Sequence, residues 1–319
     1  HWVDRNLALE FVRVTEMAAI ASARLMGKGD ERAADQAATD AMRAMLDSIE
    51  FTGSIVFGEK EKGEVASLCA GEKVGSGNGQ MLDIALDPLE GTSVCAKGLP
   101  NAISVMAVAE QGKFLKTPDI YMEKLATGPD GKGIIDINEN VNENLKRLAE
   151  VKKCHVQDLT VVILDRDRHL ELISEVRETG ARIHLIGDGD VAAGIACAMI
   201  DSGVDILMGS GGAQEGVMAA AALKCIGGEF QGKFKPADTK EKEVLQKMGI
   251  VDLEKVYETD DFVGGDVMFA ATGVTTGKFL KGVRFKSWGA VTHSMVMRSN
   301  SGTIRRIYAE HFFDRKPRY

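Results

Sequence analysis

Three oxygen-bearing side chains crowd one short segment that follows an apolar stretch. Asp87 and Glu90 lie three residues apart, and a hydroxyl follows at Thr92. Carboxylate and hydroxyl oxygens are ligands that a hard cation such as Mg²⁺ prefers. The same spacing is also typical of an acidic turn at a helix start, with Thr92 or Glu90 near the N-cap. The segment therefore predicts either a cation site or a capped helix.

The backbone of this segment is expected to leave a strand and turn. Residues 84–86 are apolar, and we expect Asp87 at the end of that strand. Pro88 has no N–H to donate to a ladder, and Gly91 permits a tight turn. The oxygen ligands would then stand on a turn just beyond a buried strand.

A known family is similar to this sequence over nearly its whole length. Residues 87–92 resemble the D-P-[IL]-[DE]-G-T signature of the lithium-sensitive sugar-phosphatase superfamily, which includes inositol monophosphatases and fructose-1,6-bisphosphatases. Residues 57–59, 119–124, 188–192 and 211–216 follow in the order and spacing of one branch. That branch is the class II, GlpX-type fructose-1,6-bisphosphatases of bacteria. The resemblance runs from about residue 7 to residue 311.

The resemblance implies an α/β fold with layered αβαβα architecture, the sugar-phosphatase fold of fructose-1,6-bisphosphatase and inositol monophosphatase. We expect residues 1–155 to form an N-terminal metal-binding part and residues 156–319 a C-terminal sugar-binding part. The last strands could pack back on the first part. From residue 138 onward, alternating helices and strands favour a mostly parallel sheet. The glycines at 209–212 resemble a phosphate-binding loop.

Metal-assisted hydrolysis of a phosphate ester is the chemistry that the resemblance implies. Such esters hydrolyse very slowly unaided, and carboxylate-held divalent ions can neutralise the phosphoryl oxygens. The expected cofactor is Mg²⁺ or Mn²⁺. The expected metal ligands are Asp35, Glu59, Asp87, the carbonyl of Leu89, Glu90 and Glu215.

Binding of the sugar and its distal phosphate is assigned by the same resemblance. Arginines suit the distal phosphate because a guanidinium makes two parallel contacts. Thr92 is also expected to orient the attacking water. The expected substrate contacts are Glu90, Gly91, Thr92, Tyr121 in a loop, Arg166, Asp167, Arg168, Asp188, Gly189, Asp190 and Gly212.

Several of these residues also have a plainer interpretation. Asp35 near a helix start can complement the helix dipole. The charged run 58–64 is typical of a solvated loop, and Arg166 and Arg168 are typical of surface charge at a helix start. Spacing alone does not decide between these alternatives.

Two stretches depart from the family pattern. The family reads G-E-G-E-x-D-E-A-P-M-L after its first strand, whereas this chain reads G-E-K-E-K-G-E-V-A-S-L from residue 58. Gly63 replaces an aspartate thought to assist water activation, and Lys60 replaces a glycine. Glu31 replaces the lysine of G-D-K-N. Glu61, or else Glu64, is the carboxylate expected to take over the missing role.

The expected activity is hydrolysis of the 1-phosphate of fructose 1,6-bisphosphate to fructose 6-phosphate and phosphate, a step of gluconeogenesis. An alternative is sedoheptulose-1,7-bisphosphatase activity, alone or in addition. A third alternative is a weakened paralogue that binds metal and sugar phosphate but turns over slowly. Gly63 and Glu31 favour that alternative, whereas the intact 87–92 segment opposes it.

Composition limits the partners and the compartment. The net charge of −8 comes without a basic block, so nothing favours nucleic-acid binding. No apolar run approaches 18 residues, so no membrane partner is expected. The five cysteines are scattered and form no CxxC pair, which suits reduced thiols in a cytoplasm. We expect a cytoplasmic homo-oligomer, a dimer or a tetramer, whose partner is a small sugar bisphosphate.

The glycine at position 63 generates a prediction about rate. If the chemical step limits turnover, Gly63→Asp raises kcat with little change in KM, because the carboxylate acts mainly in the transition state. General acid–base assistance is worth about 10²–10⁴-fold. Turnover of wild type, Gly63→Asp and Gly63→Asp with Lys60→Gly is measured after thermal melting confirms folding. A fast wild type with no faster variant would assign the role to Glu61 or Glu64.

Overall fold

The computed structural model describes residues 7–59 and 67–315. Within them the helices are α1 Leu7–Ala23, α2 Glu31–Asp47, α3 Thr92–Ala96, α4 Val141–Lys152, α5 Leu170–Glu178, α6 Asp190–Ala196, α7 Ala213–Ile226, α8 Thr239–Lys247 and α9 Thr259–Phe262. The strands are β1 Thr52–Phe57, β2 Lys73–Val74, β3 Met81–Glu90, β4 Ile103–Glu110, β5 Tyr121–Thr127, β6 Thr160–Leu164, β7 Arg182–Ile186, β8 Ile206–Gly212, β9 Glu229–Phe234, β10 Val267–Gly273, β11 Arg284–Lys286, β12 Gly289–Arg298 and β13 Thr303–Phe312. The predicted α/β class is confirmed.

The chain divides into two compact units. Of the described residues, those up to 114 and those from 265 onward form the first unit, and residues 115–264 form the second. The predicted division at 155/156 differs from these boundaries because β5 pairs with β8 and β9 in the second unit. Strand β10 pairs with β4, which places residues after 264 in the first unit. The metal-binding and sugar-binding labels stay predictions.

The first unit is built on one large sheet. Its described strands follow the order β11-β12-β10-β4-β3-β1-β2, and β13 also pairs with β12. Helices α1 and α2 cover one face, where Phe11, Met42, Leu46 and Phe51 are fully buried. Strands β1 and β3 are parallel, so their carboxyl ends reach the same edge of the sheet.

The second unit has a five-stranded sheet in the order β7-β6-β8-β5-β9. Strands β7, β6 and β8 are parallel, whereas β5 and β9 are antiparallel to their neighbours. The prediction of a mostly parallel sheet is therefore wrong for β5 and β9. Both strands carry charged side chains and lack an apolar run, so the sequence pattern did not indicate them. Tyr121 begins β5 and does not lie in a loop.

The two faces of this second sheet are used differently. Leu125, Ile163 and Met208 pack with α4 and α5 in one apolar cluster. Residues that alternate with them point to the opposite face, where Leu207 lies beside α6 and Lys124 reaches Asp190 on the same helix. One face of the sheet thus packs in an apolar core, and the opposite face carries the buried charges of Lys124 and Asp190.

The glycine run after residue 208 belongs to a strand. Gly209 to Gly212 pair with Lys124 to Tyr121 in the β8–β5 ladder. This stretch is therefore a strand and not the predicted loop, and its binding of phosphate stays a prediction. In the described part of the chain, no helix is long and apolar enough to cross a membrane.

Candidate functional site

The acidic segment lies on a β-bulge. Asp87 pairs with Val105 and Glu90 with Ile103, so two residues of β3 face one residue of β4. A bulge accommodates Pro88, which has no N–H for the ladder. Strand β3 therefore runs to Glu90 and does not end at Asp87 as predicted. The Asp87 carboxylate accepts a hydrogen bond from the Leu89 N–H at 3.1 Å.

The turn after this bulge starts a helix without a side-chain cap. Gly91 is the N-cap of α3 and has φ 92°, a left-handed conformation that glycine favours. A Cβ atom at Gly91 would lie 3.0 Å from Val94 Cγ2. Thr92 is the first helical residue, and Glu90 is buried. The N-cap residue is Gly91, with Glu90 directly before it and Thr92 directly after it, so both lie beside the cap as the alternative of a capped turn expects.

Asp35 and Glu59 lie on neighbouring elements of the first unit. Glu59 follows β1, the parallel neighbour of β3, and its N–H donates to the Leu68 carbonyl at 2.9 Å. Asp35 lies on α2, which contacts both β3 and α3. The N-cap of α2 is Asp30, whose carboxylate accepts from the Ala33 N–H at 2.9 Å. The helix start thus has its own acidic cap, one turn before Asp35.

The predicted catalytic carboxylate and its neighbours lie in a part of the chain that the structure does not describe. Glu61, together with Lys60, Gly63 and Glu64, lies outside the described residues. Among residues 7–59 and 67–315, no three His, Cys, Asp or Glu side chains form a group that could hold a metal ion. The predicted ligands therefore stay a prediction.

In the second unit, the surroundings of the Glu215 carboxylate bear on metal binding. It lies in the first turn of α7, and its Oε2 atom is buried without a hydrogen-bond partner in the described part of the chain. Burial raises the pKa of Glu215, Lys124 opposes this rise, and Asp190 adds to it. A buried carboxylate oxygen without a hydrogen bond is costly, and a hard cation would satisfy it. This atom fits the predicted role of Glu215 as a metal ligand.

Gly212 adjoins this carboxylate. A Cβ atom at position 212 would lie 1.9 Å from Glu215 Oε2, so only glycine fits there with Glu215 in this position. The glycine is also the N-cap of α7. Its predicted contact with substrate is not tested, but its identity has a local steric reason.

A buried ion pair lies on the same face of the second sheet. Lys124 Nζ is 2.7 Å from Asp190 Oδ2, and only 3% and 11% of the two side chains are exposed. Sequence reasoning missed Lys124 because β5 was not predicted. With β5 known, alternation along the strand would have placed a lysine on a buried face. Asp190, predicted to bind sugar, forms a salt bridge in this structure.

The helix start at Asp190 is shaped by its two neighbours. Gly189 is the N-cap of α6 with φ 88°. The Asp188 carboxylate accepts from the Gly189 N–H at 2.9 Å. These three residues thus form a tight turn at the end of a strand.

The two arginines predicted for the distal phosphate have different surroundings. Arg168 donates to Ser210 Oγ at 3.1 Å and to the Ser210 carbonyl at 2.7 Å, and its guanidinium lies 5.0 Å from the centre of the Tyr121 ring. Arg166 donates instead to the neighbouring Asp165 carbonyl. Asp167 is exposed on the same turn. The structure brings Arg168 and Tyr121 together but gives no such contact to Arg166.

His169, which sequence reasoning did not single out, anchors this turn. Its Nε2 accepts from the Ser210 N–H at 2.9 Å, so the neutral ring carries its proton on Nδ1 and donates to the Leu164 carbonyl at 2.7 Å. Burial lowers the pKa of His169, and the charge of Arg168 acts in the same direction. The neutral ring is therefore part of the folded state.

Comparisons with known proteins bear on the whole chain. Residues 5–311 match the family model described as bacterial fructose-1,6-bisphosphatase, glpX-encoded. A protein of Synechococcus elongatus is 43% identical over 337 residues, covering 98% of each chain. One of Thermosynechococcus vestitus is 45% identical over 340 residues, again 98% of each. Both are named D-fructose 1,6-bisphosphatase class 2/sedoheptulose 1,7-bisphosphatase.

These names describe phosphoric monoester hydrolases. The chain belongs to the GlpX-type bacterial fructose-1,6-bisphosphatase family. The predicted resemblance is confirmed over nearly all of the sequence.

The neutral His169 generates a prediction about pH. Because its folded-state pKa is lowered, the unfolded chain binds more protons, and stability is lost as pH falls below the unfolded value of about 6.5. His169→Leu costs about 1–3 kcal/mol at pH 7.5, since the Ser210 N–H loses its acceptor. Urea unfolding of both proteins at a series of pH values from 7.5 to 5 measures this difference in the free energy of unfolding. We expect the difference to become smaller as the pH falls. If the free energies of both proteins changed with pH in parallel, the neutral state of His169 in the fold would be contradicted.

Proposed function

We propose that this chain hydrolyses the 1-phosphate of fructose 1,6-bisphosphate in a divalent-metal-dependent reaction, producing fructose 6-phosphate and phosphate for gluconeogenesis. Membership of the bisphosphatase family supports the substrate class. The observation that carries the metal requirement is the buried Glu215 carboxylate, which has an oxygen that nothing in the described residues satisfies. A neutral sugar hydroxyl would compensate its charge poorly, whereas a cation compensates it well.

The donor set suits a hard divalent ion, Mg²⁺ or Mn²⁺. The predicted ligands are the carboxylates of Asp35, Glu59, Asp87, Glu90 and Glu215 and the carbonyl of Leu89. All are oxygen donors, without the thiolate or imidazole that would favour zinc. When bound, such an ion supplies neutralisation of phosphoryl charge and activation of water.

The chain's own residues would position the reactants. Thr92 is the first residue of α3, two residues after Glu90, and its hydroxyl would orient the attacking water. Arg168 is held against Tyr121 and Ser210, which limits the motion of its guanidinium before a phosphate arrives. A phosphate could bind its remaining donors in paired, charge-assisted contacts. Gly91, Arg166, Asp167, Asp188, Gly189, Asp190 and Gly212 complete the proposed substrate contacts.

Sedoheptulose-1,7-bisphosphatase activity, alone or in addition, is a second candidate. The joint name of relatives that are 43–45% identical favours it. A catalytically weakened paralogue is the third candidate, which Gly63 and Glu31 favour. Phosphate release from both bisphosphates and from inositol monophosphate, with each metal, separates the three. Slow release from every substrate despite tight binding would favour the paralogue.

Three further properties belong to the same proposal. We place the protein in the cytoplasm, which five scattered cysteines without a CxxC pair suit. Its partner is a small sugar bisphosphate and neither nucleic acid nor membrane. We also propose a homo-oligomer, a dimer or a tetramer.

Removal of either key carboxylate tests the metal requirement. Asp87→Asn or Glu215→Gln removes most activity while the fold stays intact, because each deletes one negative charge and keeps the side-chain shape. Activity is measured with Mg²⁺ or Mn²⁺, and thermal melting checks that each variant folds. Glu243→Gln, at an exposed position on α8, is the matched control. Full activity of the wild type in excess chelator would exclude the metal mechanism.

Arg168 tests the placement of the distal phosphate. Arg168→Ala raises KM for fructose 1,6-bisphosphate about tenfold or more, since charge-assisted bonds each contribute about 1.5–3 kcal/mol. KM for inositol monophosphate changes far less, because that substrate has no second phosphate. Arg177→Ala, an exposed charge at the end of α5, serves as control. Equal effects on both substrates would contradict this placement.

A further inference from the structure

Three of the motifs that resemble the family meet at one buried ion pair in the second unit. Residues 119–124 end with Lys124, and residues 188–192 include Asp190. Lys124 Nζ lies 2.7 Å from Asp190 Oδ2. Residues 211–216 begin and end with glycine, and both glycines lie against this pair. Asp190 has a place in the proposed substrate site, whereas its lysine partner has none.

The two glycines leave the space that the pair occupies. A Cβ atom at Gly211 on β8 would lie 2.8 Å from Asp190 Oδ2 and 3.2 Å from Lys124 Nζ. A Cβ atom at Gly216 on α7 would lie 3.7 Å from Lys124 Cε. The lysine stem therefore packs closely beside β8 and α7. A side chain at position 211 would push the two charges apart, so this glycine has a steric reason.

The sheet fixes the backbone of Lys124 on both sides. Strand β5 lies between β8 and β9, where Lys124 pairs with Gly209 and with Gly232. Neither cross-strand partner has a side chain that would take the space of the lysine stem. The position of the ammonium group is therefore set by the centre of a sheet and not by a mobile loop.

The two members of the pair differ in how deeply they are buried. Only 3% of the Lys124 side chain is exposed, compared with 11% of the Asp190 side chain. The carboxylate is therefore the end of the pair that a ligand reaches more easily. Burial of an ammonium is costly unless a carboxylate is bonded to it, and Asp190 meets that requirement.

The ion pair leaves Asp190 able to bind a sugar. Asp190 is the first residue of α6 and follows Gly189, which has φ 88°. An ionised carboxylate accepts roughly four hydrogen bonds through its two oxygens, and the contact with Lys124 uses Oδ2. The same side chain can therefore hold the lysine on one oxygen and accept a bond from a sugar hydroxyl on the other.

From this geometry we propose that Lys124 is a positioning residue for the sugar. Its ammonium group holds the Asp190 carboxylate in the orientation that accepts a hydrogen bond from a hydroxyl of the bound sugar phosphate. The inference rests on the proposed function, which places Asp190 against the substrate. Lys124 itself does not touch the substrate. Since a sugar contact is present in the ground state and in the transition state alike, Lys124 acts on KM more than on kcat.

The charge of Lys124 also reaches a second carboxylate. Burial raises the pKa of Glu215, and the charge of Lys124 opposes this rise. Loss of the lysine therefore has one effect through Asp190 and another through Glu215. Binding of fructose 6-phosphate in the absence of metal separates the two, because no ion is then bound at Glu215.

Removal of the ammonium group tests the proposal. Lys124→Met keeps the length of the stem and is expected to raise KM for fructose 1,6-bisphosphate about tenfold, because the carboxylate loses the bond that orients it. The expected change in kcat is less than about twofold. Steady-state kinetics measures both constants. A merely structural lysine would instead lower the melting temperature and the fraction of active enzyme without a change in KM.

Lys224 offers a matched control in the same unit. Its side chain is 18% exposed, and its Nζ lies 2.8 Å from Asp260 Oδ1 at the end of α7. Lys224→Met removes an ion pair of the same kind away from the predicted substrate contacts. We expect a lower melting temperature and an unchanged KM.

A second variant shows whether Lys124 acts through Asp190. Isothermal titration calorimetry measures the dissociation constant of fructose 6-phosphate without metal for wild type, Lys124→Met, Asp190→Asn and the double variant. We expect each single variant to weaken binding about tenfold. The double variant is expected to bind within about twofold of Asp190→Asn, because the effects of two residues that act as one unit do not add.

The outcomes separate this inference from the proposed activity. An unchanged KM in Lys124→Met, or further weakening in the double variant relative to Asp190→Asn, would overturn the role of Lys124 and leave the activity standing. A wild type that binds fructose 6-phosphate with this dependence on Lys124 but releases no phosphate would contradict the activity alone. Wild-type binding by Asp190→Asn would overturn the sugar contact and the role of Lys124 with it.

The double variant also decides the question if Lys124→Met fails to melt cooperatively. It removes both charges, so it leaves no unpaired partner in the buried pair. Binding of fructose 6-phosphate that is weakened equally in the double variant and in Asp190→Asn supports the proposal. Weaker binding by the double variant overturns it.

Discussion

Burial of negative charge at the start of α7 is the constraint on which the second unit depends. The Glu215 side chain is half-buried, its Oε2 atom is buried, and Gly212 leaves it the space that a side chain would occupy. Lys124 lies nearby but already pairs with Asp190 at 2.7 Å. One lysine therefore serves two carboxylates, so the local charge stays negative. A cation at Glu215, as proposed, would balance this charge.

In the first unit, a β-bulge and a glycine turn set the positions of the acidic residues. The bulge at Pro88 lets β3 carry Asp87 and Glu90 at the end of a buried strand, and Gly91 then turns the chain into α3. Strand β1 runs parallel to β3 and delivers Glu59 to the same edge. The N-cap of α3 is Gly91, so neither Thr92 nor Glu90 is itself the cap residue.

The sequence predicted the elements whose residue pattern matches their environment. The strand that leads into Asp87 and the alternation of helices and strands from residue 138 onward follow from the sequence pattern, and the motifs identify the family. Strands β5 and β9 were missed because Glu123, Lys124 and Lys233 break the apolar pattern. The buried Lys124 is stabilised by Asp190, 66 positions away, and no local pattern reports a partner at that distance. The anchoring of Arg168 by Ser210 was hidden for the same reason, since the residues meet only when β6 and β8 pair.

The affinity of Mn²⁺ for the protein tests the central claim, which is that the buried Glu215 carboxylate is built to hold a cation. Electron paramagnetic resonance of free Mn²⁺ counts bound ions without any need for turnover, and wild type is compared with Glu215→Gln and the exposed control Glu243→Gln. We expect tight binding to wild type and to the control, with at least a tenfold weaker dissociation constant for Glu215→Gln, equivalent to about 1.4 kcal/mol. Equal affinity of all three proteins would contradict the account.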